Sequence, residues 1–568
     1  MKRRIARREV LGLFLGTVLG SLGDGCGHDP IPQSGKAGQR FLFRDVAAEA
    51  GIDFTLGHTS PMQVNTLEAI GHGCAFLDYD NDGHLDILLV SSPRPRLYRN
   101  LGNGRFEDVT ETVLPPPPPH AHFLGCSVAD YDRDGYLDIL LTGYGTRALY
   151  HNEGGKKFHD VTSGSGLEAH GPYDWSTGAA WADIDGSGRL CVYIGRYVRF
   201  TPYSKQLCSY KGINGSSVMM ACGPDSYPSE YGALYRYDGN GRFVDITEKS
   251  GMLSHGNTLG CLFCDFNNDG LPDLYLANDL EPADLFLNLG DGRFANIAVA
   301  SGTAYGADAS LQSGMGIDWG DYDNDGRFDL IVANYAQKPK SLFHNEGHDL
   351  FTNQSYPSGI GAASLLPLSF GAVFIDFDND GLLDIVFTNG HVESQIRKVD
   401  PTQTYRQSAQ LFQNRDGSHF VDISARAGPD FTRRIVGRGI AVGDYDNDGL
   451  LDLLVVDEEG KALLLHNETP TTNHWIRFRC VEGEKNTYAI GAKVLIESKI
   501  GRRIAEVRAG GSYLSANAPD VHFGLGQVTT VDAIHIFWPN GQKHTFYKLA
   551  ADRLYLIHRE TKSLEPLL

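Results

Sequence analysis

Recognisable catalytic strings are missing from this 568-residue chain. It has no Gly-x-Ser-x-Gly elbow, no His-Glu-x-x-His, no phosphate-binding P-loop and no dinucleotide fingerprint. The hydrolase, zinc-protease, NTPase and dehydrogenase readings that such strings carry therefore have no support. Positive charge is scarce: 50 Lys and Arg face 70 Asp and Glu, a formal net charge of -20. A surface of that sign repels nucleic-acid phosphates and anionic lipid, so no nucleic-acid partner is expected. Past the N-terminal leader, no stretch approaches the roughly 18 apolar residues of a membrane helix. No transmembrane helix is expected in the mature chain. Only five Trp occur (Trp175, Trp181, Trp319, Trp475, Trp538), mostly in strand-like settings that point to core packing.

Glycine and short apolar runs are abundant instead. The 67 Gly and the 41% hydrophobic content, cut into short segments, favour strands over helices. One acidic nine-residue string recurs seven times. Its clearest copies are Asp78-Tyr79-Asp80-Asn81-Asp82-Gly83-His84-Leu85-Asp86 and Asp444-Tyr445-Asp446-Asn447-Asp448-Gly449-Leu450-Leu451-Asp452. The pattern Asp-x-Asp-x-Asp-Gly-x-x-Asp suits a hard cation. Calcium takes six to eight oxygens at about 2.3–2.6 Å. Carboxylates at positions 1, 3 and 5 converge when the chain curls, and Gly at position 6 permits the tight turn. A main-chain carbonyl at position 7 and a carboxylate at position 9 complete the shell.

Five copies keep the full acidic set. They are Asp78, Asp80, Asp82 and Asp86; Asp130, Asp132, Asp134 and Asp138; Asp321, Asp323, Asp325 and Asp329; Asp376, Asp378, Asp380 and Asp384; and Asp444, Asp446, Asp448 and Asp452. A sixth, Asp265, Asn267, Asp269 and Asp273, replaces one carboxylate by an amide. The main-chain carbonyls would come from His84, Tyr136, Leu271, Arg327, Leu382 and Leu450. The third string, Asp183 to Cys191, has lost two carboxylates and should be empty or weak. About six Ca²⁺ would add about twelve charges and leave roughly -8. Magnesium is the competing ion, but it keeps waters and demands octahedral geometry. Metal-free Asp-rich turns are the plainer alternative; four carboxylates at one turn would then repel without a cation. The calcium would be structural, pinning two strands of a sheet.

The strings start at 78, 130, 183, 265, 321, 376 and 444, mostly 52–56 residues apart. That is the size of a propeller blade. Each unit reads as four short strands: one before the acidic loop, one after it, a Leu-Tyr/Phe-x-Asn strand, and a Phe-x-Asp strand. The last unit lacks the fourth strand, and Phe43-Arg44-Asp45-Val46 supplies it from the N-terminus. We therefore expect an all-β protein: a seven-bladed β-propeller over residues 40–468, its last blade closed by the N-terminal strand. A small C-terminal β domain follows over 472–558. An insertion at 196–229 carries Cys208 and Cys222, for which a disulfide is expected. Pro115–Pro119 reads as an exposed inter-blade loop. Cys74, Cys126, Cys261 and Cys264 read as buried thiols, since residues three apart on a strand face opposite ways. His72, His122 and His391 sit at strand or loop starts and could share one face, although ordinary hydrogen-bonded roles suffice.

Residues 1–26 read as an export signal: a basic start and a thirteen-residue apolar stretch, Val10 to Leu22. Arg7-Arg8-Glu9-Val10-Leu11 resembles a twin-arginine signal with Val10 where Phe is usual, and the general secretory route is the alternative. Residues 27–39 read as a linker. Cys26 is a candidate lipid anchor, although Gly23 and Asp24 fit a lipobox poorly. The location expected is periplasmic, cell-surface or secreted.

The acidic units resemble FG-GAP/VCBS-type repeats, like those of integrin α propellers. Ile490-Gly491-Ala492-Lys493-Val494, Val507 to Ser515, His522-Phe523-Gly524-Leu525-Gly526 and Trp538-Pro539-Asn540-Gly541 resemble the ASPIC/UnbV domain. Together they are similar to the cartilage acidic protein family. The resemblance implies an exported calcium-binding propeller and leaves its role open. Two functions are consistent with the residues. One is a non-enzymatic scaffold that binds a protein or glycan at the cell envelope. The other is an enzyme of polysaccharide or secondary metabolism on a calcium-stabilised propeller, which needs a deep pocket of convergent polar groups.

Overall fold

The computed structural model describes residues 41–56, 65–483 and 487–567. The expected leader, the linker and Cys26 lie outside the described residues. Seven four-stranded antiparallel sheets follow one another along the chain. The first consists of Cys74–Leu77, Asp86–Leu89, Arg96–Asn100 and Phe106–Asp108. The seventh pairs Gly437–Gly443, Asp452–Asp457 and Leu463–Asn467 with Phe43–Asp45 from the N-terminus. Phe43 lies opposite Asn467 and Asp45 opposite Leu465, as expected for the closing strand.

The first strand of every sheet is buried along its whole length. Each lies against the first strand of the next sheet, and Gly437–Gly443 returns to Cys74–Leu77, so the sheets form a closed β-propeller. Small residues make this approach feasible. A Cβ on Gly260 would stand 2.2 Å from the Met315 carbonyl oxygen of the neighbouring sheet. The cores sit between adjacent sheets, as in the cluster of Leu42, Phe43, Val373, Phe377, Phe431 and Leu465.

A second β body starts at His474 and contains two four-stranded sheets. Its last strand is Ser563–Pro566, so it reaches beyond the expected end at 558. Ile476, Phe478, Val494, Ile534, Ile536 and Trp538 form its own core. Between Glu506 and Val521 the chain leaves these sheets and enters the propeller. Trp181 N–H donates to Ala509 O (3.3 Å), Cys126 N–H to Leu514 O (3.0 Å) and Phe76 N–H to Ala516 O (3.2 Å). Ser512 and Ile317 exchange main-chain bonds of 2.8 and 3.2 Å. Asn517 Oδ1 accepts from Val442 N–H at 3.0 Å. One segment that touches the inner strands of five sheets must lie on the ring axis. Tyr513 is fully buried there, and its hydroxyl donates to Ile70 O at 3.0 Å. The axial channel, which propellers commonly leave for ligands, is filled by this chain's own segment.

All five Trp are buried, as are Cys74, Cys126, Cys261 and Cys264. The insertion folds into a hairpin of Leu207–Lys211 and Ser217–Ala221, and Cys208 and Cys222 are disulfide-bonded with a Cα–Cα distance of 5.0 Å. His72, His122 and His391 do not form one set. His72 Nδ1 lies 3.0 Å from Glu458, His122 packs against the Tyr144 ring, and His391 Nε2 lies 3.4 Å from Tyr335 Oη.

Candidate metal-binding loops

Each acidic string forms the loop between the first and second strands of its sheet. Hydrogen bonds inside the loop fix its curl. Asp78 accepts from the N–H of Asp82 and of Gly83, both at 3.1 Å. Asp130, Asp265, Asp321 and Asp444 repeat that pair of bonds, and Asp376 accepts from Gly381 at 2.9 Å. Position 9 is anchored by the N–H of position 2 and by the third strand. Asp86 accepts from Tyr79 N–H at 3.0 Å and from Asn100 N–H at 2.8 Å. Asp138, Asp329, Asp384 and Asp452 do the same, and Asp273 accepts from Asn288 N–H. The residues at position 7 (His84, Tyr136, Leu271, Arg327, Leu382, Leu450) donate their N–H to the carboxylate at position 5.

Ligand atoms of Asp78, Asp80 and Asp86 lie within 4.8 Å of one another, and so do those of Asp130, Asp132 and Asp138. Positions 1 and 9 are buried, whereas positions 3 and 5 face water in part. Asp273 Oδ2 and Asp376 Oδ1 are buried without a hydrogen-bond donor. Burial drives the carboxyls upward: Asp130 to about 6, Asp138, Asp321 and Asp444 to about 7, Asp452 to about 8. Neighbouring carboxylates add to the shift. These loops hold more negative charge than the protein alone stabilises, and the donor set fits a hard divalent cation.

Sequence reasoning missed a further polar side chain at six of the seven loops, the fourth sheet having Leu287 there. The residue before the Asn that ends the third strand reaches the cluster. His151 Nδ1 lies 3.2 Å from Asp138, His344 Nε2 2.9 Å from Asp323, and His466 Nδ1 3.1 Å from Asp452. Hydrogen bonding to these carboxylates raises all three imidazoles to about 9. Arg99 sits there in the first sheet, 2.7 Å from Asp80, and Gln413 in the sixth, 3.0 Å from Asp378. In the third sheet Arg236 pairs with Asp185 at 2.7 Å, and Cys191 fills position 9. An arginine stands where that degenerate loop would hold a cation. Aligning the six sheets whose third strand carries this Asn shows His before it in three, a signal lost when His are read singly.

Two series of amides tie the loops together. Asn at position 4 adopts a left-handed φ of 57–62° in five loops, which Asn tolerates. Asn81 donates to Gly135 O (2.8 Å), Asn268 to Gly326 O, Asn324 to Gly381 O and Asn379 to Gly449 O, each in the next loop. Asn447 reaches Gly83 O at 3.5 Å and joins the seventh loop to the first, Arg133 bonds to Gly188 O in the second, and Gly186 leaves the series open after the third. The third-strand Asn bonds backward: Asn152 to Tyr79 O, and Asn100 to Tyr445 O, both at 2.8 Å. The C-terminal body covers this face. Arg479 lies 2.9 Å from Asp78, Arg477 2.8 Å from Asp444, Thr487 2.6 Å from Asp130, and Lys493 pairs with Asp265.

Two family profiles match the chain. An FG-GAP-like repeat matches residues 78–141, 130–194, 220–276, 265–332 and 321–387. ASPIC and UnbV matches residues 482–564. Cartilage acidic protein 1 of Homo sapiens is 24% identical over 516 residues, covering 85% of this chain and 70% of the relative. Its Xenopus tropicalis counterpart is 25% identical over 510 residues, covering 78% and 74%. Among solved structures, the BP39L lectin of Burkholderia pseudomallei is similar with a TM-score of 0.44 and 10% identity, covering 71% of this chain and 97% of the lectin. A lectin of Agrocybe aegerita gives 0.37 and 16%, covering 64% and 84%.

Proposed function

The chain belongs to the FG-GAP-like repeat proteins and ends in an ASPIC and UnbV domain, and from that premise we propose that it is an exported calcium-binding scaffold. It captures a protein or glycan partner at the cell envelope. Six loops (the first, second, and fourth to seventh) each hold one Ca²⁺, through the carboxylates and position-7 carbonyls named above. The observation that carries the calcium reading is the convergence of buried carboxylates in loops of one repeated geometry, three of them (Asp80, Asp273, Asp376) with donorless oxygens. Each ion offsets carboxylate repulsion and pins the first strand of a sheet to the second. The filled axis favours a scaffold over an enzyme working through the central channel. No helix among the described residues is long and apolar enough to cross a membrane.

The disulfide-bonded hairpin is the contact surface. Tyr203 is 93% exposed, Ile213 65% and Met219 47%, an apolar display on a braced projection. The test is capture from envelope extract by the full chain, with and without chelator. A Tyr203→Ser, Ile213→Ser, Met219→Ser variant should lose the partner while still taking up calcium. Capture that survives both the variant and the chelator contradicts the reading.

A further inference from the structure

Beneath the C-terminal body, beside the axial segment, lies a cavity of ≈160 Å³ between the two β bodies. That is about ten times the ~10–15 Å³ one water needs. Three arginines of the C-terminal body line it: Arg477, Arg503 and Arg508. Such a concentration of guanidinium groups stands out in a chain short of positive charge. Their commitments differ. Arg477 pairs with Asp444, and its buried Nε makes no hydrogen bond, the nearest carboxylate, Asp520, standing 4.0 Å away. Arg503 spends its donors on the carbonyls of Gly381 and Ile500 and makes no ion pair among the described residues. Arg508 faces the carboxylates of Asp318, at 3.6 Å, which is longer than a hydrogen bond, and of Glu506, and its Nη1 is buried without a hydrogen-bond partner. Trp319 lines the same space from the propeller with its Nε1 unpartnered and its side chain 1% exposed.

Buried donors without acceptors are costly, about 1–3 kcal/mol each. Here three such donors line one cavity large enough for a guest. Three further acids line the cavity, and each already has partners. Asp318 accepts from Trp319 and Phe374 N–H, both at 2.9 Å. Glu506 accepts from Asp265 N–H, and Asp520 pairs with Arg479 at 3.0 Å. The first carboxylates of three loops (Asp321, Asp376, Asp444) border the cavity from the other side. Planar guanidinium groups and an indole N–H suit an oxyanion, which offers only acceptors.

We infer that this cavity is a binding site for a small oxyanion, a carboxylate, sulfate or phosphate group, held by Arg508, Arg503, the free Nε of Arg477 and Trp319. The ligand bridges the two β bodies, so it also fastens the C-terminal body to the loop face. Its donors are not the proposed metal ligands, but Asp321, Asp376 and Asp444 border the cavity and Arg477 pairs with Asp444, so the anion is tested with the loops held at saturating calcium.

The test is titration calorimetry of the full chain at fixed, saturating calcium with inorganic sulfate, inorganic phosphate and glucuronate. We expect one saturable event per chain with at least one of the three, and a change in tryptophan fluorescence that Trp319→Phe removes. Arg508→Gln and Arg503→Gln should each weaken binding about tenfold or more, while Arg508→Lys keeps part of it. Thermal melts of the variants in calcium separate loss of the site from loss of the fold. An anion that raises the melting temperature of the wild type, and not of Arg508→Gln, supports the site. Absence of heat with all three anions, or affinity unchanged in both Gln variants, overturns it and leaves the arginines a structural charge network.

Discussion

Replacing Phe43 by Ala tests ring closure at its most exposed joint. Phe43 is 1% exposed, and its ring lies 5.6 Å from Phe431 and 6.4 Å from Phe377. A Phe side chain buries about 150–250 Å². At about 25 cal/mol per Å² that is roughly 4–6 kcal/mol, an upper figure because unfolded chains already bury some of it. Measured Phe→Ala losses of ~3–5 kcal/mol agree. The neighbouring Arg44 serves as a control on the same strand. It pairs with Glu49 and Glu468 at 2.7 and 2.6 Å, but 42% of its side chain is exposed. Such a surface pair is worth about 0–1 kcal/mol. Urea unfolding in saturating calcium, followed by circular dichroism, compares the two variants by midpoint, since a body of this size need not be two-state. Phe43→Ala should fall well below wild type and Arg44→Ala should stay close. It should also self-associate on gel filtration, because a loosened strand bares the edge of Leu463–Asn467. Equal midpoints for the two variants would refute closure by this strand.

Calcium affinity should fall as pH drops below 7, because carboxyls raised to about 6–8 then hold protons that the ion must displace. Calorimetry at pH 5.5 and 8 in buffers of different ionisation heat checks both the loss and the proton release. Tyr513→Ala should cost ~3–5 kcal/mol and open the axis. Limited proteolysis then gains cuts within residues 509–516, where the wild type resists; an unchanged digest contradicts the plug. Lys340 is buried with its ammonium on the Lys338 and Pro367 carbonyls and no carboxylate partner among the described residues, and desolvation lowers it to about 7. Its stability contribution is full above about pH 10.5 and is lost as pH falls to 7, about 1.4 kcal/mol per unit. Lys340→Met should flatten that slope between pH 7 and 10; an unaltered slope contradicts it.

Local and periodic information was readable in the sequence. The four-strand unit, the acidic loops and the Cys208–Cys222 disulfide follow from spacing within about fifty residues, and the closing strand at Phe43 from the strand that the last repeat lacks. What escaped is non-local. Asp78 meets Arg479 across 401 residues of chain, and nothing around Arg479 marks its partner. Gly510 and Gly511 announce a turn, with φ of 119° and 122°, but not the hole that Tyr513 fills. Gly73 shows the same limit: a Cβ there would stand 1.7 Å from Leu514 O, a contact visible only once the C-terminal segment is in place. The position-4 Asn recurs in five of the strings. Its amide reaches the next loop, which a single loop's sequence cannot reveal.

The most direct measurement is calcium uptake by chelator-stripped protein, with bound metal counted per chain after dialysis. The account predicts about six Ca²⁺ and a melting temperature that climbs as the loops fill. A chain that takes up none, and melts identically with and without the ion, would contradict it.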